Sequence, residues 1–256
     1  MDQVFERLLR GRRVRLLVKD PREYLQSHWA RGEIYEYDLY GSDLARRAAG
    51  RVVSSLSRRL RGHERVGMLR WIADRYRGGT FLDVGSCIGN HTLFFAVACE
   101  ADLVVSFEPV PELFAHQREV MELNRLSNVE LVNAAVGDHE GSVRFERAGA
   151  GNIGMGRVGG AGGVEVRQTT VDATLAGRDV PPVRLVKLDV EGYNVPALRG
   201  ARATLERHRP DVFVECETRA VLADTERELA GLGYRLRGDV VFNKTPTYLF
   251  VPTRTK

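Results

Sequence analysis

Acidic and amide side chains recur just past short apolar runs of this chain. Asp83 and Gly85 follow Phe81-Leu82, Glu108 follows Ser106-Phe107, and Asn133 to Ala135 follow Leu131-Val132. Asp189 and Glu191 follow Leu188, and Glu215 follows Val212-Phe213-Val214. If these runs are parallel strands, their polar groups meet on one rim, because open parallel sheets bind ligands beyond the carboxyl ends of their strands. Glycine lacks a Cβ and tolerates positive φ, so the turn Gly85-Ser86-Cys87-Ile88-Gly89-Asn90 lets backbone approach a ligand closely. Glu108, one βα unit later, can accept hydrogen bonds from both hydroxyls of a ribose. Asp83, Gly85, Ser86, Gly89, Asn90 and Glu108 therefore outline a pocket for a nucleoside-containing cofactor, bordered by Asn133 and Ala135.

The turn discriminates between cofactors. Cys87 stands where a dinucleotide fingerprint needs its middle glycine, and no Gly-Lys-Ser/Thr follows to make a P-loop. Asp83 would add negative charge beside a pyrophosphate, whereas it complements the ammonium and sulfonium of S-adenosylmethionine. Methyl transfer from a sulfonium is an in-line displacement, so orienting the acceptor supplies much of the catalysis. Asp189, Glu191 and Glu215 are the candidate catalytic groups, since one of them needs only to reach the acceptor proton. Strand alternation puts Lys187, Asp189 and Glu191 on one side. That spacing fits a structural ion-pair cluster as well as a base. The three carboxylates would also suit a hard cation, but no His or Asn stands at ligand spacing, and no metal is assigned.

The elements that must position these residues alternate strand and helix from Thr80 onward, the pattern of a parallel sheet with crossover helices. Strands are predicted at 80–84, 103–107, 129–133, 184–189 and 211–215, with an added antiparallel strand at 142–147. An antiparallel pair is expected at 234–237 and 248–251. Helices are predicted at 91–99, 111–126, 195–208 and 224–232. Residues 1–79 read as a mostly helical segment, with helices at 22–30, 42–60 and 64–76, and as a candidate acceptor-binding lid. The chain thus divides into that segment and a domain over 80–256. Residues 148–163 are glycine-dense, either a loose surface loop or a loop that closes over substrate.

Bulk properties narrow the class. The 256 residues can bury a sizeable core, and no apolar run approaches the roughly 20 residues of a membrane span, so no membrane partner is expected. Three cysteines without metal spacing point to a reducing cytoplasmic setting. The net charge of +4 is mild, and its one local concentration is the arginine-rich start, either a solvated helix or strand or a phosphate-contacting arm. No aromatic stacking platform lies beside it, so a nucleic-acid partner is not favoured. A homo-oligomer is left open.

The ordered motifs resemble the FkbM family of S-adenosylmethionine-dependent methyltransferases from about Thr80 to Glu215. The likeness rests on Phe81 to Gly89, Phe107-Glu108-Pro109-Val110-Pro111, Asn124, Asn133 to Asp138, and Thr170 to Leu175. It continues through Leu185-Val186-Lys187-Leu188-Asp189-Val190-Glu191-Gly192, Leu198-Arg199-Gly200-Ala201 and Pro210 to Glu215. The resemblance implies a Rossmann-like, mostly parallel α/β sheet with an antiparallel C-terminal strand, S-adenosylmethionine as donor, and O-methylation of a sugar or natural-product hydroxyl, as in secondary metabolism. It also implies that Asp83, Gly85 and Gly89 form the cofactor turn and that Glu108 holds the ribose. Ser86-Cys87 depart from the family's Ala-Asn, which removes the contacts that asparagine makes. Acceptor specificity falls to the segment before residue 80, with Tyr35, Tyr37 and Tyr40 as candidate contacts. The competing readings are an RNA or protein methyltransferase and a non-catalytic S-adenosylmethionine-binding subunit.

Overall fold

The computed structural model describes residues 2–20, 26, 64–147, 156–159, 163–243 and 245–253. Its centre is a mostly parallel sheet whose strands alternate inward-facing sets on both faces. β4 (Thr80–Val84), β5 (Leu103–Phe107), β6 (Val129–Val132), β11 (Val183–Leu188) and β12 (Asp211–Glu215) are its parallel members. They run in the order β12-β11-β4-β5-β6. β15 (Thr247–Pro252) joins β12 antiparallel, and β13 (Tyr234–Leu236) and β14 (Val240–Phe242) both pair antiparallel with β15. β3 (Glu64–Val66) lies outermost beside β14.

Period-two alternation sorts the side chains of these strands into two cores. Phe81, Val104, Leu185 and Phe213 face one side, where α1 (Met68–Arg75), α2 (Asn90–Ala98) and α3 (Pro111–Leu123) contribute apolar residues. Leu82, Val105, Val186 and Val212 face the other, with α5 (Asn194–Arg199), α6 (Arg202–His208) and α7 (Arg219–Gly231). A second sheet runs β7 (Ala135–Val136), β10 (Val164–Thr169), β8 (Gly141–Arg147), β9 (Gly156–Val158), and α4 (Val171–Leu175) follows β10.

The start of the chain corrects the helical expectation. β1 (Gln3–Leu9) and β2 (Arg12–Val18) form an antiparallel hairpin with Leu9 opposite Arg12. Its two-residue turn puts Arg10 at φ 47° and Gly11 at φ 82°, the positive pair that matches hairpin twist. In β2, Val14, Leu16 and Val18 are buried while Arg13 and Arg15 are exposed, an alternation with the period of a strand. The hairpin packs against α2 and α3, which explains why Thr92 to Ala98 of α2 are buried on every side. Asn124 fastens it, its amide accepting from the Arg15 N–H and donating to the Arg15 carbonyl, each at 2.7 Å.

Three further helix boundaries move, one of them that of the helix expected at 224–232, which begins at Arg219. The segment expected as a helix over 64–76 opens as β3 and becomes helical only after Gly67. The helix expected over 195–208 is broken into α5 and α6 at Gly200, where an added Cβ would stand 1.8 Å from the Gly137 carbonyl oxygen. The helix expected at 22–30 apart from Gln26, the helix expected at 42–60, Tyr35, Tyr37, Tyr40 and most of the glycine-dense loop lie outside the described residues. Among the described residues no helix is long and apolar enough to cross a membrane.

Candidate active site

The glycine turn is held from below by a buried polar network. Asp83 at the end of β4 is fully buried; one carboxylate oxygen accepts from Thr92 Oγ1 at 2.6 Å, and the other lies 3.3 Å from Lys187 Nζ. Thr92 Oγ1 is 3.0 Å from Ser106 Oγ, and the Gln117 amide donates to both. Ser86 Oγ donates to the Phe107 carbonyl at 3.2 Å and lies 3.3 Å from Gln117 Oε1. Asp83 and Ser86, expected to line the ligand, thus face the interior. Any match between Asp83 and a cationic ligand acts through the turn and not by contact.

The two glycines are fixed by packing. At Gly85 (φ 78°) a Cβ would stand 1.8 Å from the Asp189 carbonyl oxygen, so the end of β11 presses directly on the turn. At Gly89 (φ 83°) it would stand 2.5 Å from Gln117 Cγ. Cys87 between them also has positive φ, 53°, and its N–H donates to Glu108 Oε2 at 2.8 Å. Asn90, half-buried, opens α2.

Glu108 joins the turn to the next loop, because its other oxygen accepts from the Val110 N–H at 2.8 Å. Burial pushes its carboxyl up to about 7, against the two N–H donors and Lys187 that favour the charged form. Glu108 is itself buried, and each of its oxygens keeps a second lone pair beyond the one its N–H donor uses. The Asn133 amide donates to the carbonyls of Glu108 and Pro109, which braces that loop. Ala135 is buried in β7, paired with Gln168 of β10. A groove of about 330 Å³, lined by Leu131, Asn133, Glu140, Arg167, Thr169 and Thr174, runs along the outer edge of β6.

Asp189, Glu191 and Glu215 come together as the sequence predicted. One oxygen of each lies within 4.8 Å of the others, and all three residues are half-buried. That spacing can serve a hard cation, and it also serves carboxyls that share protons. Glu191 stands at φ 47°, a left-handed conformation uncommon outside glycine, in the loop after β11. Burial pushes its carboxyl up to about 8, reinforced by a hydrogen bond to Glu217 and by the charges of Asp189 and Glu217. Burial and then Asp189 push Glu215 up to about 9, with Lys187 opposing.

Three residues beyond the predicted set complete the geometry. Lys187 is buried, and its ammonium reaches Asp83 Oδ1 and Asp189 Oδ2 at 3.3 Å each and the Gly85 carbonyl at 3.0 Å. Burial opposes its charge, but Asp83, Asp189 and Glu215 hold its pKa above the usual lysine value. Strand alternation singled out Lys187 as a cluster member but not as the tie between turn and acids. Asn194, also buried, donates its amide to the Glu215 carbonyl at 3.0 Å. Glu217 escapes sequence reasoning because it stands two residues past a strand end, where nothing fixes the side it faces.

Residues 83–236 match the family described as the methyltransferase FkbM domain. Hexuronic acid methyltransferase AglP of Haloferax volcanii is 27% identical over 124 residues, 48% of this chain and 50% of that protein. The chain thus spans about half the length of the curated relative it matches. The crystal structure of methyltransferase FkbM from Methylobacillus flagellatus superposes with a TM-score of 0.50 at 17% identity, covering 68% of this chain and 43% of that one.

Proposed function

Since the chain belongs to the FkbM methyltransferase family, we propose that it transfers a methyl group from S-adenosylmethionine to a hydroxyl of a small, sugar-like molecule. The observation that carries this reading is the meeting of the glycine turn, Glu108 and the acids Asp189, Glu191 and Glu215 at the carboxyl ends of β4, β5, β11 and β12. The residues fit that donor. Gly85 and Cys87 offer a tight backbone turn, Glu108 keeps a second lone pair on each oxygen that ribose hydroxyls would use, and the clustered acids Asp189, Glu191 and Glu215 would complement a sulfonium charge. When bound, the donor supplies an electrophilic methyl group.

The chain's residues then do the rest. Lys187 holds the turn and Asp189 in fixed relation. Glu191 and Glu215, whose raised pKa makes each a stronger base once ionised, would take a hydrogen bond or proton from the acceptor hydroxyl in that ionised form. The name of the Haloferax volcanii relative favours hexuronic acids and related sugars as the first acceptors to try. An RNA acceptor draws little support from the basic hairpin. Arg10, Arg12, Arg13, Arg15 and Lys19 sit in ion pairs with Asp74, Glu100, Glu6 and Glu119. Free cysteines at positions 87, 99 and 216 accord with a reducing cytoplasmic setting.

Calorimetry with S-adenosylmethionine and S-adenosylhomocysteine, with NADH as control and with or without a divalent-metal chelator, tests the donor. Micromolar binding of the sulfur ligands is expected, and its absence overturns the assignment. Transfer of labelled methyl to a panel of sugars that includes hexuronic acids then tests the acceptor class.

A further inference from the structure

The loop that carries Asp189 and Glu191 is pinned on two sides by groups already described. Asp189 N–H donates to the Val84 carbonyl at 3.0 Å, and Asn194 holds the far end to the Glu215 carbonyl. The third side is Tyr193, whose hydroxyl donates to Gln168 Oε1 at 3.1 Å. Gln168 is buried on β10, inside the second sheet. Its amide nitrogen donates to the His139 carbonyl at 3.0 Å and lies beside the His139 ring. That bond turns the amide oxygen toward Tyr193, so Tyr193 must be the donor.

The packing around this bond is as close as that around the cofactor turn. A Cβ at Gly137 would stand 2.3 Å from Gln168 Oε1, and a Cβ at Gly200 would stand 1.8 Å from the Gly137 carbonyl oxygen. Two glycines far from the turn therefore let β7, β10 and the junction of α5 and α6 close on one another beside Tyr193. We propose that Tyr193 is a positioning residue: its bond to Gln168 fastens the acid-bearing loop to the second sheet and thereby sets where Glu191 stands against Glu215. This rests on the reading of Glu191 and Glu215 as groups that face the acceptor. A left-handed Glu191 persists only where its surroundings over-determine it. The Tyr193 tie supplies a constraint that Asp189 and Asn194, both on the main-sheet side, do not.

Tyr193→Phe removes the hydroxyl and keeps the ring. Hydrogen exchange of the 189–193 amides is expected to accelerate roughly threefold to tenfold, the range for one neutral hydrogen bond. Binding of S-adenosylhomocysteine by calorimetry is expected to stay within about twofold, since no atom of the turn is touched. The carboxyl ¹³C signal of Glu191, identified by its loss in Glu191→Gln, provides a signature that a merely structural role would not move. It faces Asp189, Glu215, Glu217 and Lys187, and in Tyr193→Phe it should titrate closer to an ordinary glutamate. Gln168→Leu should reproduce these changes, and the double variant should be no worse than either single one. Unchanged exchange and an unchanged Glu191 titration in Tyr193→Phe would overturn the proposal. Failure of the wild type to bind S-adenosylhomocysteine would instead strike the donor assignment and leave the loop measurements readable.

Discussion

Beneath the glycine turn, Asp83 is matched by Lys187 and Thr92, while Ser86, Ser106, Thr92 and Gln117 bond one another out of water. Across the rim, Asp189, Glu191, Glu215 and Glu217 crowd together, and Lys187 opposes their repulsion with donors already directed at Asp83, Asp189 and the Gly85 carbonyl. The first region is paired almost throughout, with Asp83 Oδ1 facing Lys187 as an ion pair without a hydrogen bond, and it fixes a shape. The second relieves its crowding by holding protons, so it responds to pH. The glycine turn and the acid cluster are thereby joined by one lysine.

The sharpest way to break that division is to remove its joint. Lys187→Met would leave Asp83 ionised and buried without its cation, and breaking one side of such a pair costs about 3–5 kcal/mol. Chemical denaturation should show a loss of that order. A loss below about 1 kcal/mol would mean that the turn is not held by charge. Glu108→Ala comes next. Hydrogen bonds to a charged group contribute about 1.5–3 kcal/mol, so S-adenosylhomocysteine should bind roughly tenfold to a hundredfold more weakly. Unchanged affinity would remove Glu108 from the pocket.

The sheet and its rim were legible because strand ends are marked by apolar runs that stop at a polar residue. Phe81 to Val84, Leu103 to Phe107 and Asp211 to Glu215 fall where that pattern put them. The hairpin was less legible, since Leu8, Leu9, Leu16 and Leu17 also fit a helical face. The cue was Arg10-Gly11 between two runs of seven residues. Side-chain direction was the other limit. Asp83 and Ser86 have the residue types of ligand contacts, yet Asp83 lies one residue before the strand ends, and alternation turns it under the sheet rim toward Thr92. No sequence pattern announces Gln117, because its role depends on a helix crossing beneath Gly89.

The frustrated region should reveal itself through pH. Glu191 and Glu215 have folded pKa values raised to about 8 and about 9, against about 4.3 for an unfolded glutamate. Between those limits the folded state holds more protons, so stability falls as pH rises, and the contribution present below about pH 4.3 is lost through pH 8 to 9. The slope cannot exceed about 1.4 kcal/mol per pH unit for one group and is smaller for partly exposed ones. Glu215→Gln, a neutral mimic, should flatten the fall between pH 6 and pH 9 in denaturation midpoints. An identical slope in the variant would show that Glu215 is ionised throughout and that the crowding is relieved elsewhere.

The smallest expected effect isolates the paired region from the ligand. Ser86 lies in the middle of the cofactor turn, but its hydroxyl points to Phe107 and Gln117. Ser86→Ala would strip one hydroxyl from the network and leave Gln117 Oε1 without it, at a cost of about 0.5–1.5 kcal/mol of stability. The backbone of the turn keeps its other anchors, the Cys87 N–H to Glu108 and the Gly85 and Ser86 N–H groups to the Phe107 carbonyl. Affinity for S-adenosylhomocysteine should therefore hold within about twofold while the denaturation midpoint drops. If instead affinity falls and stability does not, Ser86 turns outward when the pocket fills, and the boundary between the two regions runs through the turn itself.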